Sequence, residues 1–455
     1  METIHIYHMN DWHSHFENWP RVYRYYQAAK ANHQTQGETV YLIDGGDFCD
    51  RQHPLTEASD GQANIEFLND LPVDLVTIGN NEGIGNLKPH LNQLYQQANF
   101  PVILNNIVDI DTASLPNYIQ ASHIIRTESG ARILFLAATA PYQVSYKVIG
   151  WQPLDPIACI SQELARHQAA EDYDFIFLIS HLGLDVDREL AQYFPEIRVI
   201  FGGHTHHVLP LGEWQGETLL TGAGKYGHYL GHLSFQIEQN PDDDTYQISE
   251  LKDQLIASHD MESQPGDQAL INRWYNQGNS TLNQQTVGYI ASSLAASEHQ
   301  VSDLQYFTLE AIKWATGADI AVLNSGLFLN SLGQGRVSRY DLHQALPHPM
   351  RVMTVELSGK ELLVIYQEFL SLQDQLINQE IKGMGFRGNI FGQLAFDQAF
   401  NPDEIQINQN YCLASVDHLV YLPYFKKLKE LDYQLASPKF LRQLVADYVQ
   451  FINKE

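Results

Sequence analysis

The sequence predicts an α/β (α+β) fold class in two domains, and three observations carry that prediction. The chain has 455 residues, about three times the usual domain length. In its first half, short apolar runs rich in Val, Ile, Leu and Phe alternate with helical patterns, as in a layered sheet flanked by helices. An acidic turn, Asn240-Pro-Asp-Asp-Asp244, and a break at Ser263-Gln-Pro-Gly-Asp267 then change the character of the chain. The expected division is therefore a first domain over 1–238, a linker over 239–284 and a second domain over 285–455.

In chain order, strands are expected at 3–9, 39–43, 73–78, 133–137, 175–179, 198–201 and 218–221, each a short run bounded by polar or glycine residues. Helical patterns fall between them at 21–31, 65–69 and 157–170. The second domain opens with a helix at 303–315, followed by strands at 319–323 and 351–357 and a helix at 359–376. No repeat of fixed period is visible.

Composition narrows the function classes. The chain is 44% apolar and 18% charged, which supports a large core and excludes a disordered chain. Twenty-seven Lys and Arg face 54 Asp and Glu, and the net charge of -27 repels polyanions, so no nucleic-acid partner is expected. Cys49, Cys159 and Cys412 are odd in number and far apart, which suits a reducing compartment rather than a disulfide framework. The first residues read as a strand and lack a basic and apolar leader pattern, and no stretch approaches ~18 consecutive apolar residues. A cytoplasmic protein with no membrane partner is expected.

The chemistry sits at the strand ends. Asn10-Asp11-Trp12-His13, Gly45-Gly46-Asp47, Gly79-Asn80-Asn81-Glu82, Ser180-His181 and Gly202-Gly203-His204-Thr205-His206 each follow an expected strand. Ligands of open sheets lie outside the carboxyl ends of the strands, so these loops converge on one crevice. They deliver Asp11, Asp47, Asn80, His13, His181, His204 and His206. Any one of these side chains alone reads as an ordinary satisfied polar group. The ordered set, all oxygen and nitrogen donors without thiolate, points to two divalent ions of the Mn, Zn, Fe or Co class. Asp47, between the other ligands in order, is the natural bridge.

This order of motifs resembles the calcineurin-like metallophosphoesterases, and specifically the two-domain 5'-nucleotidase family. The resemblance implies a four-layer α/β/β/α metallophosphoesterase domain followed by a smaller α/β 5'-nucleotidase C-terminal domain. It implies that Asp11, His13, Asp47 and His206 hold one metal, and Asp47, Asn80, His181 and His204 the other. Gly46-Asp-Phe-Cys-Asp-Arg51 resembles a loop in which the Arg contacts phosphate, making Arg51 a candidate; Cys49 in the same loop reads as a small buried hydrophobe. In the second half, Asn324-Ser-Gly326, Tyr340-Asp-Leu342 and Val355-Glu-Leu-Ser-Gly359 resemble the family's C-terminal domain. That domain sandwiches a base between aromatic rings, for which Phe386, Phe391, Tyr421 and Tyr424 are the candidates, with Phe425 beside them. Aromatic residues at these spacings equally fill a core.

The chain also departs from the family. The family places His after the metal-binding Asn and an Asp three residues on; here the positions are Asn81 and Ile84. An amide donates a hydrogen bond to a phosphoryl oxygen but supplies no proton, which removes a contribution of about 10² to 10⁴ unless another group provides it. His15, His207 and His228 are close by motif position, and each also reads as a surface histidine. The family's phosphate-clamping Arg corresponds to Leu329, and Arg387 between Gly385 and Gly388 is the candidate replacement, ahead of Arg336, Arg339 and Arg351. The family's Gly-Gly-Asp-Gly loop is replaced by Val420-Tyr-Leu-Pro-Tyr424.

The expected function is a dinuclear metal-dependent phosphoesterase acting on a small, phosphorylated, nucleotide-like substrate, with Asn81 and Arg51 beside the reacting group. The altered Asn81 and Leu329 leave an alternative open, a metal-holding nucleotide sensor with little turnover. A nuclease of the same superfamily conflicts with the charge of -27 and the lack of a basic stripe.

Overall fold

The computed structural model describes residues 1–381 and 390–454. Two compact units divide it, Met1–Asn276 and Gln277–Glu455.

Two six-stranded sheets form the first unit. The first sheet runs in the order Tyr246–Ala257, Tyr229–Gln239, Glu2–Met9, Thr39–Asp44, Leu75–Thr77 and Val102–Ile103. The second runs Glu213–Gln215, Thr218–Gly222, Ile197–Gly202, Phe175–His181, Arg132–Thr139 and Ser122–Arg126. The inner strands of both are parallel, so their carboxyl ends fall on one rim of each sheet.

Two-residue periodicity builds the layers. Ile133, Phe135 and Ala137 with Phe175, Phe177 and Ile179 face the first sheet and meet its Ile4, Ile6, Ile43 and Leu75. The intervening Leu134, Leu136, Ile176 and Leu178 face the other way, onto Ile160, Leu164 and Leu190 of helices Pro156–Ala170 and Leu184–Tyr193. Because both faces of these strands are covered, they read as unbroken apolar runs. On the outside of the first sheet, helix Trp19–Thr35 packs Tyr26 edge-on against Tyr7, at 5.4 Å between ring centroids. The four layers expected from the resemblance are thus present. Helix Pro156–Ala170 begins where the sequence directs: Asp155 accepts a hydrogen bond from the Ala158 amide at 2.8 Å and proline occupies the first turn.

The stretch 239–284, expected as a linker, is largely structured. Its acidic turn closes a hairpin, with the Asn240 amide bonded to the Thr245 carbonyl at 2.7 Å, and Tyr246–Ala257 forms an edge of the first sheet. Helix Asp267–Gln284 follows, and its start is fixed to the first unit by a bidentate pair between Arg24 and Asp267, both bonds 2.8 Å. The division between units falls inside this helix. Acidic side chains suggested solvated linker because the sequence does not show that Ile248 and Leu251 pack against the core.

The second unit holds a five-stranded mixed sheet ordered Leu394–Phe396, Ile320–Asn324, Asn410–Val416, Arg351–Ser358 and Tyr433–Phe440. Leu309 and Ile312 of helix Asp303–Thr316 join Leu323, Val352, Val416, Val445 and Val449 in its core. Ser358 and Glu361 form a reciprocal cap on helix Gly359–Ile377, which explains the Leu-Ser-Gly-Lys-Glu pattern at its start. Among the described residues no helix is long and apolar enough to cross a membrane.

Phe177 is fully buried between the sheets and meets the rings of Phe135, Phe201 and Phe235. Phe177→Ala is expected to lower stability by about 3–5 kcal/mol, read as a fall in the urea unfolding midpoint at unchanged m-value.

Candidate metal centre

Loops at the strand ends bring six of the seven expected ligands together, Asp11, His13, Asp47, His181, His204 and His206, and they do so at a conformational cost. Asp11, His13, Asp47, His204 and His206 all have left-handed backbone, with φ of 51°, 50°, 55°, 72° and 59°. Each such non-glycine residue costs of order 1–3 kcal/mol unless its surroundings fix it. Here the loop after the first strand is zipped onto the loop after the second. The Asp11, His13 and Ser14 amides donate to the carbonyls of Gly46, Asp47 and Phe48 at 2.9, 2.8 and 2.9 Å. The His204 amide donates to both Asp11 carboxylate oxygens, at 3.1 and 2.9 Å. Glu82 ties in the third loop by accepting from the amides of Asp47, Cys49 and Gly79 at 3.0, 2.6 and 3.1 Å.

Two donor groups result, Asp11 with His13 and His206, and Asp47 with His181 and His204, each with its ligand atoms within 4.8 Å of one another. They are contiguous. His13 Nε2 lies 3.6 Å from Asp11 Oδ1 and 3.9 Å from Asp47 Oδ2, while His181 Nε2 lies 3.2 Å from Asp47 Oδ2 and 4.0 Å from Asp11 Oδ1. His206 Nε2 is 3.3 Å from Asp11 Oδ1 and 3.0 Å from His13 Nε2.

These residues fit divalent cations. His181 Nδ1 donates to the Gly45 carbonyl at 2.8 Å, which aims Nε2 at Asp47. That Nε2 and Asn80 Oδ1 are both buried without a hydrogen-bond partner. A buried acceptor left unpaired costs about 1–3 kcal/mol, which coordination removes. The field is equally telling. Burial disfavours a charged His13, yet Asp11 and Asp47 outweigh it and push the imidazole up to about 9; the same opposition takes His181 up to about 10. Carboxylates that hold protons so firmly on two buried rings are a well for positive charge. His204, by contrast, is pushed down to about 4 by burial and by His181, and stands as a neutral ring.

The other candidates divide. Asn81 reaches the centre: its side chain contacts His13 Nδ1 at 2.7 Å and its amide donates to Asp47 Oδ1 at 2.7 Å. Arg51 does not face it. Its guanidinium is buried against Glu57 and Asp60, both at 2.7 Å, and Asn86 at 3.1 Å, so it braces the loop after the second strand instead of meeting phosphate. Phe391 is buried beside Phe425 and His418, the core alternative for that ring. Tyr421 and Tyr424 are half-buried, with hydroxyls on Tyr433 at 3.3 Å and Gln379 at 3.1 Å. Phe386 and Arg387 lie outside the described residues. His15 stacks on Tyr226, and His207 is exposed with Nδ1 on the Thr205 hydroxyl at 2.8 Å. His228 is exposed, 3.4 Å from the Asn18 amide. Sequence reasoning missed Tyr142, whose hydroxyl is 3.0 Å from His204 Nε2, and the Gly45 carbonyl that aims His181. Tyr142 carried no signal because it follows a strand whose end contributes no ligand.

Gly79 shows how tightly the centre is built, since a Cβ there would overlap the Asp47 carboxylate and amide. Gly79→Ala is expected to displace Asp47 and cut bound metal by half or more in elemental analysis, with far-UV circular dichroism unchanged.

Residues 4–208 match the calcineurin-like phosphoesterase family model, and residues 280–375 match the 5'-nucleotidase C-terminal domain. An uncharacterized metallophosphoesterase of Bacillus subtilis, YunD, is 32% identical over 467 residues, covering 98% of each chain. A putative 5'-nucleotidase from Staphylococcus aureus superposes with a TM-score of 0.67 at 15% identity, over 99% of this chain and 97% of that one. The NAD nucleotidase of Haemophilus influenzae gives 0.64 at 15% identity, over 99% and 96%. Strand-end loops that gather two carboxylates and four imidazoles, with the family matches over both halves of the chain, thus place it in the calcineurin-like metallophosphoesterase family, in its two-domain form with a 5'-nucleotidase C-terminal domain.

Proposed function

We propose that the chain hydrolyses a phosphate ester or anhydride of a small nucleotide-like molecule, using two divalent ions. The observation that carries this reading is the pair of contiguous donor groups, in which His13 and His181 each approach both Asp11 and Asp47. In this assignment Asp11, His13, Asp47 and His206 hold one ion, and Asp47, Asn80, His181 and His204 the other. When bound, such a pair supplies an activated water and neutralises the charge of an in-line phosphoryl displacement. The protein's part is to hold the donors rigid, a task that the backbone zipper and Glu82 perform. Names among the relatives, 5'-nucleotidase in Vibrio parahaemolyticus and NAD nucleotidase in Haemophilus influenzae, support a nucleotide-like substrate. The three free thiols, one buried and two half-buried, support a cytoplasmic location as part of the same reading.

Asn81 shapes the substrate preference. Its side chain is engaged with His13, so it positions a ligand, and it brings no titratable proton to a leaving group. Substrates that leave readily, aryl phosphates and diphosphate linkages, therefore lose least.

Two outcomes test this. Asp47→Asn is expected to abolish metal-stimulated hydrolysis across a panel of nucleoside monophosphates, nucleotide sugars and an aryl phosphate; retained turnover would refute the two-ion assignment. Within the panel of the unaltered protein, kcat/KM for aryl phosphate and nucleotide sugar is expected to exceed that for AMP, and the reverse order would remove the leaving-group argument.

A further inference from the structure

On the outer face of the first sheet, away from the centre just described, three more histidines converge. His5 lies on strand Glu2–Met9, His232 on its neighbour Tyr229–Gln239, and His33 in the last turn of helix Trp19–Thr35. Strand alternation sets two of them: Ile4 and Ile6 point into the sandwich, so His5 and Tyr7 point outward, and His232 pairs with Tyr7 in register. One ring nitrogen from each histidine lies within 4.8 Å of the other two. His5 Nδ1 is 2.9 Å from His232 Nε2. Glu38, just past the helix, brings Oε2 to 3.2 Å from His5 Nε2 and 2.7 Å from His33 Nδ1.

We propose that His5, His33 and His232 form a third cation site, separate from the catalytic pair, that takes a divalent ion of the zinc class, with Glu38 as an outer carboxylate beside it. Three imidazoles match the donor preference of that ion and leave its fourth position to water. At Zn–N distances of about 2.0–2.1 Å, tetrahedral donors stand about 3.3 Å apart. His5 Nδ1 and His232 Nε2, 2.9 Å apart, open to that value by a few tenths once the hydrogen-bonded proton between them leaves. The rings of His5 and His33 are stacked at 3.7 Å with 26° between their planes, so one ring must turn to aim its lone pair at the ion. His33 is free to do so, standing near a helix end and 16% exposed.

A supporting layer is already in place. The Tyr7 hydroxyl is 3.2 Å from His33 Nε2, and the Gln254 amide is 3.3 Å from His232 Nδ1, the nitrogens on the far side of each ring. Outer contacts of this kind orient imidazole ligands and tune their basicity. An ion here ties helix Trp19–Thr35 to two strands of the first sheet. Without an ion, the same atoms close a hydrogen-bonded chain: Gln254 to His232, His232 to His5, His5 and His33 to Glu38, and Tyr7 to His33.

The test uses the full-length chain and Zn²⁺ alone as probe, with zinc counted by elemental analysis after equilibrium dialysis. His33→Gln and His232→Gln are compared with the unaltered protein, and aryl phosphate hydrolysis is followed in each. The variants are expected to hold about one zinc fewer per chain while hydrolysis is retained, because the three-histidine site is lost and the catalytic pair is not. Equal zinc in all three chains overturns the site and leaves the hydrogen-bonded cluster as its full account. Should His232→Gln disturb the sheet, the zinc count of His33→Gln alone decides, since His33 lies in the last turn of the helix and on no strand. The zinc count stands whether or not the proposed substrate class is right.

Discussion

Two carboxylates held together out of water are what the first unit is built around. Asp11 and Asp47 are fully buried, and His13 and His181 approach both of them. Like charges so placed repel strongly in a medium of low polarisability, and the arrangement persists only with positive charge between them. Protons on imidazole meet that demand partially; divalent cations meet it fully. Both sheets, the loop zipper and the glycines serve to keep this pair from relaxing apart.

The cost is carried by the backbone and offset by hydrogen bonds. Five of the seven donor residues sit in a region that ordinary side chains avoid, and no glycine stands in for them because the side chain is the ligand. Gly46 and Gly79, by contrast, have no side chain because the neighbouring loop fills the space where one would be. Strain and close packing thus divide between two classes of residue in the same loops. The covered parallel strands beneath supply rigidity, since Leu134 to Ala138 and Ile176 to Ile179 are buried on both faces.

Much of this was legible in the sequence. The strand ends expected after residues 9, 43, 78, 179 and 201 fall within two residues of Met9, Asp44, Thr77, His181 and Gly202, because buried parallel strands are continuous apolar runs that stop abruptly at polar ligands. Asn80 and Asn81 were readable as site residues for the same reason. Arg51 was misplaced because a motif specifies the loop and leaves open which way a long flexible side chain turns; Glu57 and Asp60, further along, decided it. The strand Tyr246–Ala257 was hidden because it is half-exposed and mostly polar, which composition alone does not separate from a linker. His5, His33 and His232 were invisible as a group, since strand pairing and a helix end bring together residues that share no local pattern.

Strand Glu2–Met9 lies in the middle of the first sheet, between Thr39–Asp44 and Tyr229–Gln239. One neighbour is made soon after it on the ribosome, and the other only when the first unit is nearly complete. Until then one edge of this strand is open, and the loop bearing Asp11 and His13 rests on a half-built support. Long-range closure of this kind is slow relative to helix formation and leaves unpaired strand edges exposed. The order of synthesis therefore makes His206 and the closing hairpin late arrivals, and cation capture becomes one of the last events in the life of the nascent chain.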